Sequence, residues 1–296
     1  MRTLKTSGEL GLITALKKFC TGIGDDTAVL PAGKKDLLFT TDMLLEGRHF
    51  LLKKTRPYDI GWKAMAVNLS DIAAMGGRPR WAVVSLGAPA SLSVKILTEI
   101  YRGMKAAASR FGTDIVGGDT NQSERLTIAV ALVGEVEKGK ALRRSGSKPG
   151  DWIFVSGRLG GSYASKKHLC FVPRLHEAAW LAKNFRVHAM MDLSDGLASD
   201  IRHICEESRV GAILNERALP CSRGSSVRSA LADGEDFELL FTVSSEEGAR
   251  LLRKARPRGF PEFTHAGWIV RGKKVEWLRK NGKLETLRLR GFEHFK

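Results

Sequence analysis

Apolar positions in the first half of the chain alternate between a period of two residues and a period of three to four. This alternation predicts strands and helices in mixed order. Helices are predicted over residues 8–20, from an N-cap at Asp59 to Gly76-Gly77, and over a later stretch that ends at Gly112. Four strands are predicted around these helices, at residues 36–42, 81–86, 115–116 and 127–136.

A polar stretch at residues 137–150 interrupts this pattern and marks the best candidate for a domain boundary. After it the apolar pattern restarts. It predicts strands at 152–155, 189–193 and 237–243, helices at 174–183, 197–205 and 246–254, and strand-like segments at 268–290. Strands and helices do not alternate strictly, so we predict an α+β fold with two domains, residues 1–138 and 139–296.

Composition narrows the class of protein. The chain has 296 residues, of which 43% are hydrophobic, and its apolar runs are far shorter than the roughly 18 residues of a membrane span. The N-terminus alternates charged and apolar residues, unlike a signal peptide. Its four cysteines form no C-x-x-C pair and lack zinc-finger spacing, which is typical of reduced thiols. We therefore expect a cytoplasmic protein without a membrane anchor.

The chain is strongly basic, with a net charge of +16. Residues 253–296, here called the basic tail, contain 13 Lys and Arg against 4 Asp and Glu and so carry +9 of that total. A basic surface can bind nucleic acid or attract small anions. It can also be an ordinary solvated surface. Few aromatic residues lie among the basic ones and no nucleic-acid motif occurs, so nucleic-acid binding is disfavoured.

Aspartates nevertheless concentrate in five short segments, each beside glycine or at the predicted edge of an element. Like charges brought together raise one another's pKa values, and a divalent cation relieves the repulsion. Oxygen ligands of this kind suit Mg²⁺. We interpret the segments as one Mg–nucleotide site assembled from distant parts of the chain: Gly24-Asp25-Asp26, Thr40-Thr41-Asp42, Asn68-Leu69-Ser70-Asp71, Gly117-Gly118-Asp119 and Asp192-Leu193-Ser194-Asp195-Gly196.

Each segment also has a plainer interpretation, as a tight turn or a strand-end cap. Thr40 and Asp42 share one side of a predicted strand. Asn68 and Asp71 lie one turn apart on a predicted helix whose neighbouring positions are apolar. A buried carboxylate is costly unless it is paired or bound to a metal, so the pair on the helix is the strongest of these signals.

Two segments also offer backbone N–H groups to phosphate. Gly117-Gly118 is expected to follow a short strand, where glycine pairs leave N–H groups available. Ser194 is expected to cap the next helix, whose N-terminus attracts anions. Walker A, G-x-G-x-x-G, G-x-S-x-G and kinase H-R-D motifs are all missing from the sequence. A nucleotide site in this chain therefore belongs to a less common fold.

Taken in order, the segments resemble the thiamine-monophosphate kinase family, part of the superfamily of aminoimidazole ribonucleotide synthetase. The resemblance covers nearly the whole chain and is carried by several stretches: Gly8-Glu9-Leu10, residues 22–30, TDMLLEGRHF at 41–50, KAMAVNLSDIAAMG at 63–76, 117–120, ALRRSGSKPGDW at 141–152, 192–200, GEDFELLFT at 234–242 and 291–295. It implies transfer of the γ-phosphoryl group of ATP to thiamine monophosphate, giving thiamine diphosphate. It also implies an N-terminal domain whose sheet forms a barrel across a homodimer, and a C-terminal, sandwich-like α/β domain.

The resemblance further implies roles for individual residues. Several Mg²⁺ ions would be held by Asp26, Thr40, Thr41, Asp42, Asp71, Asp119, Asp192 and Asp195, with Asp42, Asp71, Asp119 and Asp195 central to catalysis. ATP would be held by Gly118, Asp119, Arg144 and Ser194, and the thiamine substrate by His49, Glu235 and Phe292.

The chain departs from the family pattern in two places. The segment Tyr163–Lys167 is shorter than usual, and Asp233 replaces the usual glycine before Gly234-Glu235-Asp236. Two alternative functions also remain open. One is another ATP-using enzyme of the superfamily, which would activate an amide or a selenide. The other is a basic protein that binds nucleic acid.

Overall fold

The computed structural model describes residues 11–14, 16, 24–255 and 262–292 of the chain. Gly11–Thr14 and Leu16 are helical, as predicted, whereas the rest of that predicted helix, Cys20 and residues 293–296 lie outside the described residues. None of the described helices has the length and apolar character needed to cross a membrane.

The described chain forms two compact units, and neither is continuous in sequence. The N-terminal unit contains Asp26–Ala141 and Lys166–Lys183. The C-terminal unit contains the described residues up to Asp25, Leu142–Ser165 and the chain from Asn184 onward. The compact units therefore differ from the two continuous stretches that we predicted, because a short piece of the second half packs with the first.

The N-terminal unit is built on a five-stranded sheet in the order β1-β2-β5-β3-β4, in which only β3 and β4 are parallel. Its elements are β1 (Ala28–Ala32), β2 (Lys35–Leu45), α1 (Pro57–Ala74), β3 (Arg78–Ala88), α2 (Val94–Arg110), β4 (Asp114–Gln122), β5 (Thr127–Glu137), α4 (Lys167–Cys170) and α5 (Leu175–Asn184).

The two faces of this sheet have different environments. Residues alternate along each strand, so Leu38, Val84 and Val130 are fully buried on the face against α1. α2 packs closely on α1 at two glycines. A Cβ atom on Gly61 would lie 1.8 Å from the carbonyl oxygen of Ile100, so only glycine fits there. The opposite face of the sheet carries exposed apolar side chains.

The C-terminal unit is built on a seven-stranded sheet in the order β12-β11-β8-β10-β6-β9-β7. Helix α6 packs on this sheet, and β9 is buried along its whole length. The elements of the unit are β6 (Trp152–Ser156), α3 (Ser162–Ser165), β7 (Val187–Asp192), α6 (Leu197–Ser208), β8 (Gly211–Asn215), α7 (Val227–Ala232), β9 (Leu239–Val243), α8 (Ser245–Ala255), β10 (Phe263–Val270), β11 (Val275–Leu278) and β12 (Leu284–Thr286).

The mixed α and β architecture in two domains is confirmed, but three local predictions are wrong. Helix α1 begins at Pro57 with Arg56 as its N-cap, and Asp59 lies in the first turn, where it pairs with the Arg56 guanidinium at 2.7 Å. Gly117-Gly118 does not follow a strand but lies inside β4. Ser194 does not cap α6, whose N-cap is Gly196.

Candidate functional site

Strand β2 and helix α1 bring together three of the predicted metal ligands. Thr40 Oγ1 donates a hydrogen bond of 2.5 Å to Asp71 Oδ2, and Asp71 is also hydrogen-bonded to the side chain of Asp42. Carboxylate oxygens of Asp26 and Asp71 lie within 4.8 Å of each other. We call Asp26, Thr40, Asp42 and Asp71 the N-terminal acid cluster. The structure thus confirms that Thr40 and Asp42 share one side of the strand.

Asn68 fixes the position of this cluster. It is fully buried, its Oδ1 accepts the backbone N–H of Asp42 at 3.1 Å, and its Nδ2 donates to the carbonyl oxygen of Ala64 at 3.1 Å. A buried amide needs partners for both of its polar atoms, and this one has them. The expected buried polar face of the helix is therefore present. Through Asn68 it is hydrogen-bonded to the backbone of β2 at Asp42.

The pKa of Asp42 within this cluster is raised to about 6. Burial is the main cause, and the negative charge of Asp26 adds to it, while the hydrogen bond to Asp71 opposes both. A carboxylate with a raised pKa gains from a nearby cation, which favours its charged form. The donors are oxygen atoms, as Mg²⁺ requires.

Thr41 does not join this group through its side chain. It is exposed on the face of β2 opposite to Thr40 and Asp42, because successive residues of a strand point to opposite sides. The role of Thr41 among the residues around the Mg²⁺ ions stays a prediction, and its side chain points away from Thr40 and Asp42.

Gly118 and Asp119 lie on β4, at an edge of the sheet. A Cβ atom on Gly118 would lie 1.9 Å from the carbonyl oxygen of Val84, so glycine is required for β4 to approach β3. Asp119 is exposed and its Oδ2 accepts a hydrogen bond of 2.6 Å from Asn121. Because β4 pairs on one side only, edge N–H groups can still serve a ligand. Their roles remain predictions.

His49 lies in the turn after β2. Its Nδ1 accepts the backbone N–H of Leu45 at 2.9 Å, which leaves Nε2 as the protonated nitrogen of a neutral ring. Its carbonyl oxygen accepts from the fully buried ammonium group of Lys63 at 3.2 Å. These contacts hold the imidazole in place, and its role toward substrate remains a prediction.

The C-terminal unit contains a second group of acids where β7 leads into α6. Asp192 is buried at the end of β7, and Asp195 lies just before the helix. Asp195, Asp200 and His203 each offer a ligand atom within 4.8 Å of the others. We call Asp192, Asp195, Asp200 and His203 the C-terminal acid cluster.

Asp200 is the most constrained member of this cluster. It is fully buried; its Oδ2 accepts the N–H of Gly196 at 3.0 Å, and its Oδ1 has no hydrogen-bond partner among the described residues. Burial raises the pKa of Asp200 well above its usual value, and the charges of Asp195 and Asp192 add to the effect. A buried oxygen without a partner at such a place fits a cation site.

Arg144 supplies the positive charge near this cluster. Its guanidinium opposes the rise in the pKa of Asp200. Burial first, and then Arg144 and Arg202, lower the pKa of His203 to about 4, so this ring is neutral at physiological pH. The backbone N–H of Arg144 donates to Asp25 Oδ1 at 2.9 Å, which fixes the loop. An arginine so placed suits an anionic ligand.

Four predicted site residues from distant parts of the sequence meet in this unit. The N–H of Phe292 donates to the carbonyl oxygen of Asp195 at 2.9 Å, and the N–H of Glu235 donates to the carbonyl oxygen of Ser194 at 2.7 Å. A Cβ atom on Gly291 would lie 1.8 Å from the same Asp195 oxygen, so only glycine allows this approach. The backbone of the turn from Ser194 to Gly196 therefore contacts both the segment around Glu235 and the end of the described chain.

Sequence reasoning missed Asp200 and His203. They lie one turn apart on α6 between Leu197, Ile201 and Ile204, which are buried. The same argument that singled out Asn68 and Asp71, polar residues at helical spacing among apolar neighbours, would have found them. The structure makes them candidate ligands because it places Asp195 beside them.

Comparison with known proteins fits this geometry. The family models for AIR synthase related proteins match the chain, the N-terminal domain at residues 24–136 and the C-terminal domain at 148–278. Thiamine-monophosphate kinase of Aquifex aeolicus is 37% identical over 92% of this chain and 97% of its own, and that of Synechococcus elongatus is 35% identical over 99% and 98%. The chain therefore belongs to the thiamine-monophosphate kinase family.

A solved structure of AaThiL complexed with AMPPCP and TMP has the same fold. It is 35% identical to this chain, covers 99% of both chains and superposes with a TM-score of 0.88. The architecture described above is thus that of a known family.

Proposed function

We propose that this protein transfers the γ-phosphoryl group of ATP to thiamine monophosphate, giving thiamine diphosphate and ADP, with Mg²⁺ as cofactor. The observation that carries the proposal is relatedness to thiamine-monophosphate kinases over nearly the full length of the chain. The solved relative holds AMPPCP, a nucleotide with a non-hydrolysable β–γ link, together with TMP.

The two acid clusters support the Mg²⁺ part of the proposal. Each places several carboxylates close together, and burial, with the charges of neighbouring carboxylates, raises the pKa values of Asp42 and Asp200. Asp42, Asp71, Asp195 and Asp200 would hold the ions. Bound there, Mg²⁺ would neutralise phosphate oxygens that otherwise repel one another.

The chain's own residues have simple tasks in this reaction. The attacking atom is an oxygen of a phosphate that is already ionised, so no strong general base is needed. Positioning and charge neutralisation supply most of the rate in phosphoryl transfer. Arg144 would hold a phosphate, and the Asn68 amide keeps Asp42 in register with Asp71. Glu235 and Phe292 would contact the thiamine part of the acceptor.

The direct test is a reaction with purified protein, Mg²⁺, ATP and thiamine monophosphate. We expect equal amounts of thiamine diphosphate and ADP, and no product when Mg²⁺ is replaced by EDTA. ADP release that does not depend on thiamine monophosphate would favour another ATP-using enzyme of the superfamily. Retention of RNA at moderate salt without kinase activity would favour the nucleic-acid alternative.

We further propose that the protein is a homodimer through the open face of the N-terminal sheet. Phe39, Met43 and Trp81 on that face are 44%, 58% and 44% exposed, and Val116 is 60% exposed. Contiguous apolar side chains of this kind indicate a protein interface.

A cytoplasmic location remains a prediction. Cys170, Cys205 and Cys221 are free thiols, which is what we expect of a protein in that compartment.

A further inference from the structure

The acidic segment that carries Glu235 is hydrogen-bonded to the start of a short helix in the same unit. Gly160 N–H donates to Asp236 Oδ2 at 2.8 Å, and Ser162 Oγ donates to Asp236 Oδ1 at 2.7 Å. Gly161 N–H donates to Asp233 Oδ2 at 3.1 Å. We call residues 160–163 and 233–236, taken together, the clasp.

The fourth contact of the clasp involves Tyr163 and Glu235, whose side chains are hydrogen-bonded to each other. Burial raises the pKa of Tyr163 to about 12, and the charge of Glu235 and the hydrogen bond to it act in the same direction. The phenol therefore stays protonated and donates to the carboxylate. Tyr163 as a residue is 53% exposed, so its burial is partial and it lies at the surface beside Glu235.

The backbone of the acidic segment is held in an uncommon conformation. Glu235 has a φ of 54° and Phe237 a φ of 48°, in the left-handed region that side chains other than glycine rarely adopt. Such backbone persists only where the surroundings determine it, and it is frequent at functional sites. Here the N–H of Glu235 donates to the carbonyl oxygen of Ser194, and the contacts of the clasp hold the same segment through its side chains.

Asp233 and Tyr163 act on neighbouring parts of the clasp. Asp233 accepts the N–H of Gly161, and Tyr163, two residues after Gly161, is hydrogen-bonded to Glu235. The first contact therefore fixes the segment from which Tyr163 reaches Glu235.

We propose that Tyr163 is a positioning residue that orients the Glu235 carboxylate toward the thiamine substrate, and that Asp233 holds the shortened segment so that Tyr163 can do so. This inference rests on the proposed function, because it takes Glu235 as a substrate contact. It assigns specificity for the acceptor, not for ATP, to the shortened segment.

The kinetic test uses Tyr163→Phe, which removes the hydroxyl and keeps the ring. We expect KM for thiamine monophosphate to rise about 3- to 10-fold, which corresponds to roughly 0.6–1.4 kcal/mol, while KM for ATP and kcat stay within twofold. Asp233→Ala should shift the same KM in the same direction, and Asp233→Asn, which keeps an acceptor for Gly161, should not. Tyr58→Phe on α1 is the matched control.

A double-mutant cycle separates positioning from a general structural effect. In a Glu235→Ala background, Tyr163→Phe should no longer change KM, since the residue through which it acts is gone. An undiminished effect in that background, or an unchanged KM in the single variant, would overturn the inference.

A readout that needs no activity distinguishes this inference from the proposed function. The chain has only three tyrosines, so ¹³C-tyrosine labelling gives three ring signals, and Tyr163→Phe identifies one of them. Glu235→Ala should move that signal and leave the other two in place. If wild-type protein forms no thiamine diphosphate, the proposed function fails; if the Tyr163 signal does not move, the positioning inference fails.

Discussion

Thr40 and Asp71, 31 residues apart in sequence, are joined by a hydrogen bond of 2.5 Å between a strand hydroxyl and a helix carboxylate. The bond is part-buried and joins two residues of the N-terminal acid cluster. It joins helix α1 to strand β2 beside the carboxylates of Asp42 and Asp26. The same contact therefore positions the helix on the sheet and holds the Asp71 carboxylate within the acid cluster.

Asp71→Asn should lower kcat by at least about tenfold, equivalent to roughly 1.4 kcal/mol of barrier. The amide keeps the shape of the side chain but weakens the hold on a cation. The metal-free variant should unfold at the same temperature as wild type or higher, because repulsion among the acids is relieved. Steady-state kinetics and thermal unfolding measure the two effects. Asp59→Asn, on the same helix but paired with Arg56 at the surface, should leave kcat unchanged.

The raised pKa of Asp42 predicts a pH-dependent affinity for Mg²⁺. With a folded pKa of about 6 against an ordinary value of 3.8, Asp42 takes up a proton as the pH falls through 6. Above that pH the buried charge of Asp42 lowers the stability of the folded protein. Protonation removes this penalty as the pH falls from about 6 to about 4. Because a cation needs the ionised form, binding of Mg²⁺ should release protons at pH 5.

Calorimetry in buffers with different heats of ionisation counts those protons. Proton release should be larger at pH 5 than at pH 8, because Asp42 is already ionised at pH 8. Asp42→Asn should release about one proton fewer at pH 5 than wild type, while Asp200 can still contribute. Equal counts for wild type and variant would contradict the assignment of Asp42.

The homodimer proposal predicts that one charge on the open sheet face dissociates the protein. Met43→Glu or Trp81→Glu should give a monomer at micromolar concentration by sedimentation, because a carboxylate cannot be buried unpaired in an apolar interface. Val94→Glu changes an even more exposed apolar residue, 77% exposed at the start of α2, and should remain dimeric. Monomeric wild-type protein would count against the interface itself.

Gly291→Ala should disturb the substrate side without disturbing the fold. The added methyl group would collide with the Asp195 carbonyl oxygen at 1.8 Å, so the segment with Phe292 has to move away. KM for thiamine monophosphate should rise by about tenfold or more, and Phe292→Ala should raise it at every salt concentration. Thermal unfolding should stay within a few degrees of wild type. If the Gly291 variant keeps a normal KM, Phe292 does not contact the substrate.

The basic tail should make kcat/KM sensitive to salt, since a positive field that attracts ATP is screened over about 10 Å at 0.1 M ionic strength. Lys273, Lys274 and Lys280 changed together to Gln should flatten that dependence, with kcat unaltered. Arg279, which directly precedes Lys280, is left unchanged in this variant. It pairs with Glu216 at 3.0 Å and covers the Trp277 ring at 3.7 Å, so Arg279→Gln should lower thermal stability instead. Steep salt dependence in the triple variant would contradict the hypothesis.

Much of the fold followed from apolar periodicity. The strands β2, β3 and β5 and the helices α1 and α2 were predicted because their buried positions repeat with a regular period. Their ends were less predictable. Pro57 starts α1 with its fixed φ, although Asp59 has the more familiar capping chemistry. Gly117 and Gly118 suggested a strand end, but pairing with β3 carries β4 through them.

From the sequence, the site could be predicted only as a group of acidic residues. The sequence indicated that Asp42 and Asp71 belong to one site, because a carboxylate on a buried helix face is costly and acidic segments recur along the chain. It did not indicate which carboxylates are spent on the protein's own backbone. Asp25 is one of these, as it accepts the N–H of Arg144, whereas Asp200 accepts the N–H of Gly196 with only one of its two carboxylate oxygens. Such pairings depend on folded loops that local pattern does not encode.

The discontinuous N-terminal unit also constrains how the chain matures during synthesis. Its sheet and the helices α1 and α2 are complete once residue 141 has been made, but α4 and α5 come later. Until then the indole N–H of Trp62 lacks its acceptor, the Phe171 carbonyl oxygen, 2.8 Å away in the finished protein. A nascent chain released at the apparent domain boundary would therefore expose part of α1. For the same reason, gene fragments cut there are poor candidates for independent expression.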